Sequence, residues 1–597
     1  MRVGRSEGQK VGQDSGRRPR IAAGLLVLLS LLALPLSAQD TVNVIDPNAP
    51  PAESPYRGGP PEEAVREAVA RYNDSAATRL YGSFTVGSGT WIRGDVGMFR
   101  GTLRVMGRIT GRVTIINGTL IVGPHAAIDG EVLLIGGRFL TQPGGQQTGG
   151  FRTYAELAPV YRSNAGLLEI RVVPPTLGDI ATAQKTFTAG RLETTLSLGT
   201  GRTYNRVEGL PIIAGPTFSF PTPNDGEARL DLRGIIRTES DPTDQRDELG
   251  WLARFEWARQ AHLQYGIGGI WEQKIRPIED QPLSLAEIGW STFLFGRDYR
   301  DYFQEQSAGG YAWARPLQPL RLDASVRYEH QTSVPASDPI SVFRDPEPWR
   351  SNPLIDDGHY TTVLLKAEYD SRNSLATPTS GWLARAWFER SQSGDVAPAA
   401  LPVEVRDPLP TSDTYHFSRV GFDVRLYQRI NTVTRVNLRV LGAGWAGGDP
   451  LPIQRRVSLG GSDLMPGYPF RDQTCAPAGY TDPSKAALCD RMMAAQAELR
   501  FRFRFGLRER LGAQDWLVLE RLFGAEQADI VLFGDMGKAW LTGDGPGRVP
   551  NNRVPVLSEW AYDAGLGIDF DGLAIYAATP LVGGWSPRIT LRLQRRF

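Results

Sequence analysis

From about residue 190 onward the chain alternates apolar and polar residues in one short segment after another. Leu230, Leu232 and Ile236 share one face, and Asp231, Arg233 and Arg237 the other. Val420, Phe422, Val424 and Leu426 oppose Arg419, Asp423 and Arg425, and Val436, Leu438 and Val440 oppose Arg435, Asn437 and Arg439. Leu499, Phe501, Phe503 and Phe505 oppose Glu498, Arg500, Arg502 and Arg504. A period of two marks β-strands with one apolar face. A soluble sandwich alternates in the same way, with its polar face to water. Two features favour a membrane barrel instead. The pattern continues over about 400 residues, more than one sandwich core uses. Short turns such as Asp571-Gly572 also alternate with long polar loops at 334–358, 393–412 and 462–492, as in a barrel with one short-looped rim.

The final segment fits a closing stave. Ile589, Leu591, Leu593, Arg595 and Phe597 lie on one side, and Thr590, Arg592, Gln594 and Arg596 on the other. Phe597 is read as a C-terminal barrel signal at the periplasmic rim, where Arg595 avoids the costly lipid midplane. Counting back from it, the strands at 573–581 and 528–540 ascend and that at 496–505 descends. The loop holding Cys475 and Cys489 is then extracellular, where a local disulfide between them persists. About sixteen segments are counted, by the same alternation; an even number would place the N-terminal region in the periplasm.

Composition agrees with an exported all-β chain. The 66 glycines and 14 tryptophans suit turn-rich strands with interfacial aromatics. Mean hydropathy is only −0.27, because alternation averages a lipid face against a wet lumen. Arg17, Arg18 and Arg20 precede an apolar run from Ile21 to Leu36, and Leu36-Ser37-Ala38 suits cleavage, so residues 1–38 read as an export signal rather than an uncleaved anchor. No later run is long enough for a spanning helix. A formal net charge of +1 gives no electrostatic pull toward nucleic acid. The five histidines are scattered, and no nucleophile–base set, metal cluster or phosphate loop occurs. No enzymatic activity, catalytic residue, cofactor or metal is expected.

Residues 39–81 read as a Pro-rich tether followed by a short helix with acids in its first turn. Residues 82–143 repeat. Leu103 and Leu120 align with Phe84, Val105 and Val122 with Val86, and Ile109 and Ile128 with Ile92. Gly94, Gly111 and Gly130 form a column, as do Val96, Val113 and Val132, and Gly101, Gly118 and Gly137. Such columns predict a β-solenoid rather than a meander, because one coil alone buries nothing. The segment Gly111-Arg-Val-Thr-Ile-Ile-Asn-Gly118, with Thr119-Leu-Ile-Val-Gly123, resembles a bactofilin-type polymer-forming domain. Residues 144–189 read as a linker and 190–597 as the barrel.

Four barrel segments resemble the outer-membrane assembly and translocation superfamily of BamA and TamA. They are Val457-Ser-Leu-Gly-Gly-Ser-Asp-Leu-Met-Pro-Gly-Tyr468, Ala497-Glu-Leu-Arg-Phe501, Val531-Leu-Phe-Gly-Asp-Met-Gly-Lys-Ala-Trp540, and Ala564-Gly-Leu-Gly-Ile568 through to Phe597. Asp370-Ser-Arg with Pro378-Thr-Ser-Gly-Trp382 matches a family strand pair, and Tyr204-Asn-Arg-Val-Glu-Gly-Leu210 an opening segment of some relatives. The resemblance implies that the first of these segments is a loop tucked into the lumen, with an arginine meeting an acid on the wall. Here Pro466 stands in that arginine's place. Gly460, Gly461 and Gly467 allow unusual backbone angles, and Tyr468 and Phe470 provide anchors. Arg471 is the candidate replacement cation, with Glu498 or Asp535 as its partner; the alternative is a solvated loop charge. Residues 39–190 contain none of the POTRA modules by which family members capture clients.

The function these readings favour is outer-membrane protein assembly or translocation across a Gram-negative-type outer membrane. The resemblance implies a seam between first and last strands that admits an unfolded client strand by edge pairing. Two alternatives stand beside it. One is a passive or dedicated export pore for anionic solutes, lined by Arg500, Arg502 and Arg504. The other is a membrane anchor for a solenoid that binds a periplasmic partner or itself.

Overall fold

The structure, a computed structural model, describes residues 60–597 except 61, 155–157, 159, 163–166, 171–180, 201–202, 224–225, 240–248, 261–262, 280–284, 318, 344–348, 373–377, 411–414, 432, 505–526, 571–572, 585, 594 and 597. The export signal at 1–38, the tether up to residue 59, Phe505, the Asp571-Gly572 turn and Phe597 therefore lie outside the described residues.

The repeat folds as a parallel β-solenoid, and its columns are the rungs. Phe84 pairs with Leu103 and Leu103 with Leu120; Ile92 pairs with Ile109 and Ile109 with Ile128; Val96 pairs with Val113 and Val113 with Val132. Apart from the exposed Phe84 and the half-buried Ile92, these side chains are buried together along the solenoid axis. The glycine column marks corners where backbones touch. A Cβ on Gly130 would stand 2.1 Å from the Gly111 carbonyl oxygen, and one on Gly111 equally close to Gly94. Helix α1 (Glu62–Asn73) lays Ala64, Val65, Ala68 and Tyr72 on a second apolar layer formed by Phe99, Ile116, Leu133 and Ile135.

The solenoid runs further than 82–143. It begins at Thr78–Tyr81, and Phe151–Tyr154 adds a last rung on Val132–Ile135, with Phe151 against Phe139 at 4.6 Å. The stretch 144–189 is thus not simply a linker. It contributes this rung, a small hairpin of Val160–Arg162 with Leu168–Ile170, and the first strand of the large sheet.

That sheet holds seventeen consecutive antiparallel strands: β1 (Ala181–Ala189), β2 (Leu192–Thr200), β3 (Ile212–Thr222), β4 (Gly226–Ile236), β5 (Leu249–Gln260), β6 (Gln264–Pro277), β7 (Tyr302–Leu317), β8 (Leu320–Ser333), β9 (Gly358–Asp370), β10 (Gly381–Ser393), β11 (Tyr415–Arg429), β12 (Thr434–Gly448), β13 (Arg491–Arg504), β14 (Gln527–Thr542), β15 (Ala561–Asp569), β16 (Ala574–Pro580) and β17 (Arg588–Arg592). A further two-residue strand, Arg548–Val549, lies parallel to the end of β14. Among the described residues no helix is long and apolar enough to cross a membrane.

Burial is inverted relative to a soluble sandwich. Leu230, Leu232 and Ile236 are exposed while Asp231, Arg233 and Arg237 are buried; Leu438 and Val440 are exposed while Arg435, Asn437 and Arg439 are buried. An apolar outer band around a charged interior is the arrangement of a membrane barrel. The connections sort largely by rim. Those at 190–191, 223–225, 261–263, 318–319, 430–433 and 570–573 are short, with 371–380 and 505–526 the longer exceptions on that rim, whereas those at 278–301, 334–357, 394–414, 449–490 and 543–560 on the opposite rim are long.

The strand number is seventeen, one more than the sixteen or so counted in the sequence. Because it is odd, β1 and β17 run in the same direction, and the chain enters β1 at the long-loop rim. Parity therefore does not place the N-terminal region on the side of the C-terminus. The extra strand escaped the alternation count because Ala181-Thr-Ala-Gln-Lys-Thr-Phe-Thr-Ala189 carries so few apolar residues.

Candidate functional site

The connection 449–490 folds into the barrel. Backbone bridges Val457–Cys489 and Leu459–Gln473 draw its two arms together, and Gly461–Met465 closes the tip. Gly460 and Gly461 have φ of +120° and +102°, values that favour glycine. The inner wall grips the tip: Gln496 Nε2 on β13 donates to the carbonyls of Asp463 and Leu464 at 3.0 and 2.9 Å. Ala539 N on β14 donates to Gln473 Oε1 at 2.9 Å. Leu459, Leu464 and Met465 are buried with Leu441, Met492, Ala494 and Ala539. Cys475 and Cys489 form a disulfide within the second arm, with Cα atoms 5.1 Å apart.

Gly467 is needed for a different reason from its two neighbours, since its φ is not positive. A Cβ there would meet Asp563 Cβ at 2.7 Å and the Thr579 carbonyl carbon at 2.9 Å. This close approach lets Gly467 N donate to Asp563 Oδ2 at 2.7 Å. Tyr468 anchors the same strand, its hydroxyl donating to the Tyr562 carbonyl at 3.2 Å.

Arg471 does not pair with Glu498 or Asp535. Its Nε donates to Glu279 Oε2 at 2.9 Å, its Nη1 to Asp301 and, at 2.8 Å, to the Lys485 carbonyl. It sits on the arm above the tip and so meets acids of the long-loop rim, not those on the wall beside the tip. Ser458 bonds Glu279 through both N and Oγ at 2.9 and 2.8 Å, while Arg206 and Arg350 reach Asp301 at 2.6 and 2.7 Å. Phe470 stacks edge-on against Tyr299 at 5.3 Å. One buried cluster thus ties four long connections together. Burial alone would raise the Asp301 pKa, but Arg471, Arg350 and Arg206 outweigh it and hold it well below the carboxylate range.

Glu498 and Asp535 instead belong to Arg596 of the C-terminal segment. Its Nη2 donates to Asp535 and its Nη1 lies 3.7 Å from Glu498, with the guanidinium 4.1 Å from the Phe533 ring centre. Asp535 is the register partner of Asp563, the acid held by Gly467. The wall acids are therefore met from two sides, by a loop amide and by a C-terminal arginine. With Pro466 lacking a cation, Arg596 supplies it.

Arg592 joins three elements. Its Nε and Nη2 donate to Glu287 at 2.7 and 3.3 Å, its Nη1 to the Ser462 carbonyl at the loop tip at 3.0 Å, and Nη2 also reaches Asp463 at 3.3 Å. Glu287 lies in the first turn of helix α2 (Leu285–Phe295), and it also accepts from Leu593 N at 2.9 Å. The other side of α2 packs on the β2–β3 connection: Gly289 lies against Tyr204, and Phe293 stacks edge-on with Tyr204 at 5.4 Å. A clasp thus runs from the β2–β3 connection through α2 to the last strand. In the sequence, Arg592 and Arg596 were legible only as polar-face residues, and Glu279, Glu287 and Asp301 not at all.

Of the three arginines read as an anion path, Arg500 and Arg502 have acid partners, and the side chain of Arg504 lies outside the described ones. Arg500 pairs with Glu498 at 2.8 Å and Asp569 at 2.6 Å, and Arg502 with Asp529 at 3.2 Å. Among the described residues no group of His, Cys, Asp and Glu is placed to hold a metal.

Residues 286–572 match the Omp85 superfamily domain. The barrel contains an Omp85 superfamily domain. That match spans nearly all of α2, the lumen loop and both wall acids, and it ends before Arg592 and Arg596. Solved structures similar to the chain include BamA from Haemophilus ducreyi lacking POTRA domains 1–3, at 13% identity over 69% of this chain and 74% of that one, with a TM-score of 0.38. CdiB from Escherichia coli is similar at 10% identity over 68% of this chain and 62% of that one, with a TM-score of 0.28. CdiB from Acinetobacter baumannii is similar at 10% identity, with coverages of 70% and 66% and a TM-score of 0.27. No curated protein sequence matches the chain.

Proposed function

We propose that this Omp85 barrel inserts or translocates polypeptide at the outer membrane, using the seam between β17 and the N-terminal edge of the sheet. The observation that carries the reading is the treatment of the last strand. β17 pairs with β16 only from Ala574–Arg592 to Ala578–Arg588, and among the described residues it has no ladder to β1. It is held instead by side chains: Arg592 to α2 and the loop tip, with Arg596 beyond it to the wall acids. A strand secured by a few ion pairs can be released and re-secured, whereas a full ladder cannot be opened so cheaply. The partners in this reading are outer-membrane lipid and unfolded outer-membrane clients, which pair through a strand edge. In this reading the N-terminal solenoid binds a partner or a second copy. No catalytic role is assigned.

The paired interior arginines and the inserted loop weigh against a standing pore for anionic solutes. The test is depletion of the protein followed by quantitative proteomics of the outer membrane, alongside planar-bilayer recording. Loss of other barrel or surface proteins, with no steady conductance, is the expected result. A steady anion-selective conductance and an unchanged proteome would favour the pore.

A further inference from the structure

We propose that strand β1 is a displaceable occupant of the seam: a segment of this chain lying on the β2 edge that a client strand would use. The proposal rests on the seam reading above and deepens it by naming what holds the edge beforehand.

Direction is the first argument. Consecutive antiparallel strands put β2 and β17 in opposite directions, so they can close the barrel with the antiparallel pairing used everywhere else in its wall. β1 runs parallel to β17 and cannot continue that pattern. Yet β1 covers nearly all of β2, from Ala189–Leu192 to Ala181–Gly199, with one register shift between Ala181 and Ala183. It sits where the closing partner of β2 belongs. With β1 removed, the remaining sixteen strands begin and end on the same, short-turn rim.

Chemistry is the second argument. On β2, Leu192, Leu196 and Leu198 are exposed while Thr195 is buried, so the even-numbered residues face outward. Register then places Lys185, Phe187 and Ala189 on the outward side of β1, with Lys185 opposite Leu196. Lys185 is exposed, and its Nζ lies 5.2 Å from the ring centre of Phe187. A lysine near the middle of a lipid-facing strand is costly, and the alanine at position 189 recovers little. Neighbouring strands put leucine, isoleucine or phenylalanine at such positions. The backbone ladder therefore holds β1 in place while its outward face opposes permanent residence in lipid. That combination suits a strand that comes off when a better one arrives.

The test uses the full chain in lipid vesicles and, as probe, a fluorescent synthetic peptide of residues 181–189. Phe187→Cys with Thr194→Cys places two cysteines at register partners, within disulfide reach for an antiparallel pair. Oxidation then fixes β1 on β2, and reduction frees it; wild type with and without reductant controls for the Cys475–Cys489 bond. Loss of peptide binding on oxidation, recovery on reduction and tighter binding after deletion of 181–189 are expected. Lys185→Leu should weaken binding in an otherwise unaltered chain. Equal binding by the oxidised and reduced forms overturns the proposal and leaves the seam reading standing. Absence of binding even to the heat-modifiable, folded deletion variant overturns the seam reading and this proposal with it.

Discussion

Arg592 of the last strand and Glu287 of helix α2 form a two-pronged ion pair at 2.7 and 3.3 Å, with both side chains almost fully buried. They are 305 residues apart in sequence. Because Arg592 also holds the loop tip, this pair couples helix, loop and seam strand. Removing Glu287 leaves the buried Arg592 with only the longer ion pair to Asp463 at 3.3 Å, at a cost of up to about 3–5 kcal/mol. Glu287→Ala should lower stability by about that much in urea titrations of vesicle-bound protein. Combining it with Arg592→Leu should cost less than the sum of the two single changes, as expected for one shared interaction. Strict additivity would mean that the two residues act separately.

Gly467→Ala should free the loop from the wall. The added methyl collides with Asp563 and with the β16 backbone, so overpacking of about 1–3 kcal/mol is expected. Gly461→Ala has more room, with its nearest contact at 3.4 Å, and pays chiefly for its positive φ. Limited proteolysis within 457–475 measures the difference: Gly467→Ala should be cut faster at unchanged barrel heat-modifiability.

The rim cluster sets an acid limit on loop anchoring. The folded-state pKa of Asp301 is depressed, so its contribution is fully present above the unfolded value of about 3.9 and is lost as pH falls through the folded value. Loop protection should therefore hold through mildly acid pH and fail only in strong acid. Asp301→Asn should abolish this dependence and raise protease sensitivity already at neutral pH. A wild-type midpoint near neutrality would contradict the cluster's role.

The disulfide closes a short loop between Cys475 and Cys489, 14 residues apart. Replacing both by serine should destabilise the inserted loop by about 3 kcal/mol, read from hydrogen exchange in the 457–490 backbone. The barrel strands should keep their protection.

What was legible in the sequence was what a local period records. Alternation at Leu230–Arg237 and Val436–Val440 marked true inward and outward faces, and the columns at Phe84, Ile92 and Val96 were the solenoid rungs. β1 was invisible because Lys185 and its alanines break the apolar period that reveals a stave. The partners of Arg471 were invisible for another reason. Glu279 and Asp301 lie 192 and 170 residues away, on a connection brought over the lumen only when the barrel closes. Pro466 signalled that the loop's expected cation was missing. That Arg596 would replace it depends on where the chain's last residues turn inside the wall.

Site-specific photo-crosslinking in living cells tests the seam most directly. A photoreactive residue replaces Leu591, which points outward from β17 at the seam, and, as control, Leu438, which points outward from β12. Crosslinks from Leu591 to newly made outer-membrane or exported polypeptides, with lipid alone captured at Leu438, are the expected result. Capture of lipid alone at both positions, while new polypeptides continue to reach the outer membrane, would contradict a seam that handles clients.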